Sequence, residues 1–182
     1  MLEFVEKYQN EFIISIILGL GIYFSTRKAK ANEVSNIIIG DSQVPYIQIN
    51  SKKYIASFNP KLWKSGVNIY WLIEELKKIN PNNSIKNVAI SIGTNGSFNT
   101  NDPIDTLFKL LRQKFPNANF YTIKGSWGWG GNKDKYAWDV DNYYALFEKY
   151  STIINTAIGY GDPHQNKNSY YLIGQELDKL TK

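Results

Sequence analysis

Short apolar runs alternate with segments of helical spacing along most of the chain. Strand-length runs occupy residues 37–39, 88–92 and 119–123, and the first two end at a glycine. Between them, apolar residues recur every three or four positions over residues 69–79 and 104–111. Short apolar runs bounded by turns predict buried strands, and the longer spacing predicts amphipathic helices. The alternation therefore predicts an α/β domain with a parallel sheet covered by helices on both faces.

The other segments of this domain follow the pattern less regularly. Residues 46–58 are mixed in character and predict an extended segment. Further helices are predicted around residues 139–150 and 170–180, with a short strand near residues 152–156 between them. Together these elements predict a single domain over residues 32–182.

Residues 12–24 differ from the rest, because they are apolar apart from Ser15 and carry no charge. The run is shorter than the roughly 20 residues that cross a bilayer, so a signal peptide or a soluble docking helix would also fit. A signal peptide usually starts with basic residues, whereas three glutamates and one lysine precede this run. The composition favours a single-pass membrane anchor, a hydrophobic helix within residues 1–31. The basic flank Arg27, Lys28 and Lys30 predicts that the following domain lies on the cytoplasmic or interior side.

The composition of the chain excludes several kinds of partner and catalytic site. The 182 residues are 43% hydrophobic, which suits one domain with its own core. The net charge of +5 is modest and most lysines and arginines are spread along the chain, so we expect no nucleic-acid partner. With no cysteine and one histidine, thiol nucleophiles, disulfides and cysteine or histidine metal clusters are excluded. Any metal site would need carboxylates, and neither a metal nor a cofactor is predicted.

A serine directly follows the first predicted strand, in the sequence Gly40-Asp41-Ser42. This order puts Ser42 at the carboxyl end of a strand, which is where open α/β sheets bind ligands. A serine becomes a nucleophile where a base can reach it, and His164 is the one histidine available. Taken alone, the three residues also fit an ordinary turn with a helix cap.

Two other turns carry polar groups. Residues 93–95 follow the second strand, and the amide of Asn95 can donate to an oxyanion. Residues 161–164 contain Asp162 two positions before the histidine. Each turn, in isolation, is equally typical of a polar loop.

Taken in chain order, these turns resemble the sequence blocks of the SGNH (GDSL-like) hydrolase family. The resemblance covers about residues 35–182 and implies a flavodoxin-like three-layer α/β/α domain with a parallel sheet. It implies that Ser42 is the nucleophile and His164 the general base. It also implies that Asn95 and the backbone N–H of Gly66 donate to the oxyanion. Gly66 precedes a predicted helix, so it equally fits a helix cap.

Several positions depart from the family pattern. Gln43 stands where leucine is usual, and Gly96 stands where the third block has an aspartate. The family acid lies three residues before the histidine, a place that Gly161 occupies here, and Asp162 is one residue closer. Asp162 is therefore expected either to orient His164 from an altered loop or to leave a Ser-His dyad.

The resemblance implies a membrane-anchored serine esterase that hydrolyses a carboxylic ester through an acyl-enzyme, with a carbohydrate or lipid ester as substrate. Trp127 and Trp129, in a glycine-rich loop after the third strand, can stack on a sugar ring or pack inward over the sheet. The departures leave a second interpretation, a non-catalytic structural or interaction protein that retains the fold. The turns also resemble a virus-encoded branch of the family, which would suit a virion membrane protein.

Overall fold

We analysed a computed structural model of the chain. It describes residues 34–57, 60–125, 133–155 and 164–181, with side chains of the third range described from residue 139 onward. Residues Ser35–Lys182 form one compact unit. The predicted anchor at residues 12–24 and the predicted boundary between residues 1–31 and 32–182 lie outside the described residues.

The described residues form a five-stranded parallel sheet, as the alternation predicted. The strands are β1 Asn36–Gly40, β2 Ile55–Ala56, β3 Asn87–Ser91, β4 Asn119–Ile123 and β5 Thr152–Ile154. Their order in the sheet is β2-β1-β3-β4-β5. All neighbouring pairs are parallel, and Gly40 of β1 lies opposite Ser91 of β3. The carboxyl ends of the two central strands therefore meet at one edge of the sheet.

Five α-helices cover the sheet within the described residues. They are α1 Val44–Asn50, α2 Ile69–Lys78, α3 Ile104–Lys114, α4 Lys133–Ala145 and α5 Lys167–Leu180. The predictions for α2 and α3 are confirmed, and α5 begins a few residues earlier than the apolar spacing indicated. The helix expected at 139–150 lies at Lys133–Ala145 instead.

The extended segment predicted over residues 46–58 is wrong in its first part, because α1 occupies Val44–Asn50. A proline near the start of α1 sets a helical φ, and Val44 and Ile47 lie on the same buried face. Both features were present in the sequence. The mixed polarity of the surrounding residues hid them.

The core lies on both faces of the sheet, which gives three layers. On one face Ile38, Ala89 and Tyr121 belong to a buried cluster that includes residues of α1 and α5. On the other face Phe108 of α3 contacts Phe120 of β4 edge to face, with ring centroids 5.9 Å apart. Successive strand residues point to opposite faces, so Phe120 and Tyr121 serve different layers. The flavodoxin-like α/β/α architecture is confirmed.

None of the helices formed by the described residues is long and apolar enough to cross a bilayer. Residues 12–24 lie outside the described residues. The N-terminal anchor therefore stays a prediction from composition.

Candidate active site

Gly40 ends β1 in a backbone conformation that suits only glycine. Its φ is +130°, and a Cβ at this position would lie 1.8 Å from the Ser91 carbonyl oxygen. The next residue, Asp41, donates its backbone N–H to that same oxygen at 2.9 Å. On the other side, Lys64 donates its N–H to the Gly40 carbonyl oxygen at 3.1 Å. The chain therefore turns sharply at the edge where β1 meets β3, and Ser42 follows this turn.

Ser42 and His164 lie within hydrogen-bonding distance of each other. The distance from Ser42 Oγ to His164 Nε2 is 2.7 Å. A neutral imidazole nitrogen can accept the hydroxyl proton at this distance, as a general base does. Both side chains are half-buried, so solvent and small molecules retain access. The structure thus brings together the two residues that the sequence proposed as nucleophile and base.

One tyrosine lies against the imidazole, and a second tyrosine stacks on the first. The ring of Tyr46, on α1, lies 5.2 Å from the His164 ring, centroid to centroid. The other contact of Tyr46 is a stack on Tyr170 of α5, also at 5.2 Å and with the planes 15° apart. Tyr46 keeps 43% of its surface exposed, so it also borders the entrance to the site. Sequence analysis missed it, because residues 46–58 were expected to be extended.

Asp41 is fully buried beneath the nucleophile. Its Oδ1 accepts hydrogen bonds from the Gln43 backbone N–H and the Ser91 hydroxyl, both at 3.1 Å. Its Oδ2 has no hydrogen-bond partner among the described residues. Burial disfavours the charged form and raises the pKa of Asp41 to about 7. The carboxyl group therefore shapes the turn that carries Ser42.

Asn95 lies in a short 3-10 turn, Thr94–Gly96, directly after β3. Its side-chain nitrogen donates to the Val67 carbonyl oxygen at 3.1 Å. An amide nitrogen carries two hydrogens, so this bond leaves one for a ligand. Because Val67 follows Gly66 in the chain, the bond also attaches the Asn95 turn to the Gly66 turn.

Gly66 is exposed and has φ +74°, with no atom within 4 Å of a Cβ built there. Its positive φ explains why glycine suits this turn before α2. The structure thus links the two predicted oxyanion segments through Asn95 and Val67. Their role in binding an oxyanion stays a prediction.

The other predicted site residues lie outside the described residues. They are Asp162, Trp127 and Trp129. The proposed orientation of His164 by Asp162 and the stacking of sugar rings on the tryptophans therefore stay predictions. Within the described part of the chain, no group of three or more acidic or histidine side chains is placed to hold a metal ion.

Comparison with known proteins gives likenesses at the level of structure. A member of the lipolytic G-D-S-L family from Veillonella parvula is 12% identical, with a TM-score of 0.61, and the match covers 81% of this chain and 97% of that one. The catalytic domain of peptidoglycan O-acetyltransferase A from Streptococcus pneumoniae is 17% identical, with a TM-score of 0.52 and coverage of 80% and 90%. A carbohydrate acetylesterase from Sinorhizobium meliloti is 14% identical, with a TM-score of 0.51 and coverage of 80% and 97%. No protein-family model and no curated protein matches the sequence.

These likenesses identify the fold of the chain as that of the GDSL or SGNH hydrolases, as the sequence resemblance predicted. The described residues thus combine a hydrolase-type α/β fold with a serine and a histidine in hydrogen-bonding contact at the carboxyl edge of the sheet. Sequence identities of 12 to 17% support the assignment of the fold only. The activity must be argued from the site itself.

Proposed function

We propose that the chain is a serine esterase in which Ser42 is the nucleophile and His164 the general base. The observation that carries the proposal is the 2.7 Å distance between Ser42 Oγ and His164 Nε2. A serine hydroxyl is a weak nucleophile unless an adjacent base accepts its proton. Here the base is available to the hydroxyl without any rearrangement of the described residues.

The reaction follows from this pair. Ser42 Oγ attacks the ester carbonyl carbon while its proton passes to His164 Nε2. The tetrahedral intermediate collapses, the bond to the alcohol breaks, and the alcohol leaves with the proton from His164. Water then attacks the acyl-enzyme and gives a proton to the same nitrogen. His164 returns that proton to Ser42 Oγ as the acyl bond breaks and the free acid leaves.

The oxyanion needs hydrogen-bond donors that are already in place. We assign this role to the remaining amide hydrogen of Asn95 and to the backbone N–H groups of Ser42 and Gly66. Supporting this assignment, Asn95 is already held by the Val67 carbonyl oxygen and needs no reorganisation to donate. Removal of one such donor typically costs about a hundredfold or more in rate.

A substrate class can be proposed for the site. We propose a short acyl ester, such as an acetyl group, carried by a carbohydrate. In support, one structural neighbour named above is a carbohydrate acetylesterase and another is a peptidoglycan O-acetyltransferase. The exposed part of Tyr46 also offers an aromatic surface beside His164 on which a sugar ring can stack. The sequence also predicts Trp127 and Trp129 as candidates for stacking on a sugar ring.

Attachment to a membrane through residues 12–24 is part of the same proposal. Its support is the uncharged, largely apolar run in the sequence. An anchored esterase would act on esters close to a membrane surface.

The direct test is hydrolysis of p-nitrophenyl acetate and of acetylated sugars by the purified protein. We expect turnover by the parent chain and its loss, by about a thousandfold or more, in Ser42→Ala and His164→Ala. Tyr46→Leu should weaken hydrolysis of the sugar substrate more than hydrolysis of p-nitrophenyl acetate, because its ring is both a stacking surface and a neighbour of His164. Hydrolysis that survives in Ser42→Ala would contradict the proposal. The absence of hydrolysis of any ester by the parent chain would favour the alternative, a non-catalytic interaction protein.

A further inference from the structure

Gln43 forms a buried hydrogen-bonded junction next to the nucleophile. The side chain is 2% exposed, and its Nε2 donates to Thr94 Oγ1 at 3.2 Å. Its Oε1 accepts from the hydroxyl of Tyr170 at 3.3 Å. The same hydroxyl accepts the backbone N–H of Gln165 at 3.0 Å. One amide thus connects α1, the turn after β3 and the start of α5.

Each segment that this junction reaches carries one of the candidate catalytic groups. Gln43 follows the nucleophile, Thr94 precedes the candidate oxyanion amide, and Gln165 follows the base. The three pairs of chain neighbours are Ser42 with Gln43, Thr94 with Asn95, and His164 with Gln165. A displacement of the junction is therefore transmitted to all three groups over a single peptide unit each.

An amide side chain suits this role, because its nitrogen donates to Thr94 while its oxygen accepts from Tyr170. An apolar side chain of similar size makes neither bond. Burial of a polar group is unfavourable unless its hydrogen bonds are made, so loss of either bond disfavours this arrangement. A polar network of this kind specifies an arrangement more than it adds stability.

Two further contacts extend the junction to the base. Gln165 donates its side-chain amide to the Lys124 carbonyl oxygen at 3.0 Å, which attaches the segment after His164 to the end of β4. Tyr170 stacks on Tyr46, whose ring lies 5.2 Å from the His164 ring. The position of the imidazole is therefore fixed through both its backbone and its ring.

We propose that Gln43 is a positioning residue that holds His164 and Asn95 in register with Ser42. The proposal rests on the proposed esterase function and deepens it. Gln43 does not touch the reacting atoms. It acts through the backbone on either side of them, and it accounts for a polar residue at the position where the resemblance implied leucine.

The test compares two buried glutamines of the same region. Gln43→Met keeps the length of the side chain and removes its hydrogen bonds. The control is Gln48→Met on α1, because Gln48 is 5% exposed and its side-chain oxygen accepts the Ala56 backbone N–H at 3.1 Å, a bond outside the junction. We expect Gln43→Met to lower kcat about tenfold with KM changed less than about threefold, since a small misplacement of catalytic groups costs rate more than binding. Gln48→Met should leave kcat within about twofold of the parent.

A second variant covers the case in which Gln43→Met does not fold. Tyr170→Phe removes the hydroxyl that joins Gln43 to Gln165, and we expect a similar loss of kcat. The double variant should lose no more than the more impaired single variant, because both changes break one network. Additive losses would overturn the proposal.

A third readout does not depend on any substrate. His164 is the only histidine in the chain, so its ring 15N signals are assigned without ambiguity. In the parent and in Gln48→Met, Ser42→Ala should shift the Nε2 signal, because it removes the hydroxyl donor. In the Gln43→Met background, Ser42→Ala should shift the His164 Nε2 signal by less than half as much. An equal shift in all three backgrounds would overturn the positioning role even if hydrolysis is observed. Failure of the parent to hydrolyse esters would instead count against the proposed function alone.

Discussion

Ser42 Oγ lies 2.7 Å from His164 Nε2, although the two residues are 122 positions apart in the chain. The contact exists because β1 ends beside β3 and the start of α5 lies at the same edge of the sheet. The contact is supported on one side by the turn at Gly40 and on the other by the buried amide junction at Gln43. A chance contact between a serine and the single histidine would need neither. Several consequences of this arrangement are open to measurement.

The first prediction concerns the buried carboxyl group of Asp41. Its pKa is raised to about 7 by burial, from 3.8 in the unfolded chain, so between these pH values the folded protein holds a proton that the unfolded chain has lost. The contribution of Asp41 to the free energy of unfolding should therefore be fully present below about pH 4, decrease by roughly 4 kcal/mol as the pH rises to about 7, and level off above it. Urea unfolding at a series of pH values measures this.

Asp41→Asn is the matched variant, because an amide oxygen can still accept from Gln43 and Ser91 while the group no longer titrates. Most of the decrease in the free energy of unfolding between about pH 4 and 7 should be absent in Asp41→Asn. Asp102→Asn is the comparison variant, because burial also raises the pKa of Asp102. Its protonation therefore changes the free energy of unfolding with pH in the same direction, and this variant removes that contribution alone. A fall that persists unchanged in Asp41→Asn would place its origin elsewhere.

The second prediction concerns the strained backbone after the Asn95 turn. Ser97 has φ 53° and ψ 35°, a left-handed conformation that costs a residue with a Cβ about 1 kcal/mol or more. The strain is held in place by the next residue, Phe98, which is 4% exposed and packs on Tyr143 and Tyr144. Ser97→Gly should therefore raise the free energy of unfolding by about 0.5 to 1 kcal/mol.

The control for Ser97→Gly is Ser65→Gly, another exposed serine, which lies outside the left-handed region. Glycine there only increases the entropy of the unfolded chain, so stability should decrease. Thermal melting of both variants tests the claim. Destabilisation of equal size in both would show that Ser97 is not strained.

The third prediction concerns the N-terminal segment. A chain lacking residues 1–31 should remain folded and in the supernatant after membranes are sedimented, whereas the full chain should sediment with them. The reason is the favourable transfer of the apolar run at residues 12–24 from water. Loss of the cooperative melting transition in the shortened chain would instead make the segment part of the core.

The fourth prediction separates a triad from a dyad. Pro163 fixes the backbone between Asp162 and His164, and the acid is closer in sequence than the resemblance implies. If the site is essentially a dyad, Asp162→Ala should cost at least about tenfold less rate than His164→Ala, because only the latter removes the base. Steady-state kinetics on one ester compare them. Equal losses of rate in the two variants would show that Asp162 acts as the third member of a catalytic triad.

The sequence was sufficient for the layers of the fold and for the pairing of Ser42 with His164. Strand runs closed by glycine are local signals, and their alternation with helical spacing leaves a parallel sheet as the simple solution. The serine and the histidine were found because the chain offers one histidine only.

The sequence was insufficient for α1 and for the junction at Gln43. Val44 and Ile47 cover too short a helix for periodicity to distinguish it from an extended segment. Gln43 was noticed only as a departure from the family pattern, because its partners Thr94 and Tyr170 are brought to it by tertiary contacts. The available signal for this role was that Gln43 is polar at a position where the family resemblance implies an apolar residue.

The most direct test of the central claim is labelling by a serine-directed fluorophosphonate, followed by intact-mass and peptide analysis. The account predicts one covalent adduct per chain, located on Ser42, and its absence in Ser42→Ala. His164→Ala should label at least about a hundredfold more slowly, since the hydroxyl then lacks its base. No adduct on the parent chain, or an adduct that persists in Ser42→Ala, would contradict the account.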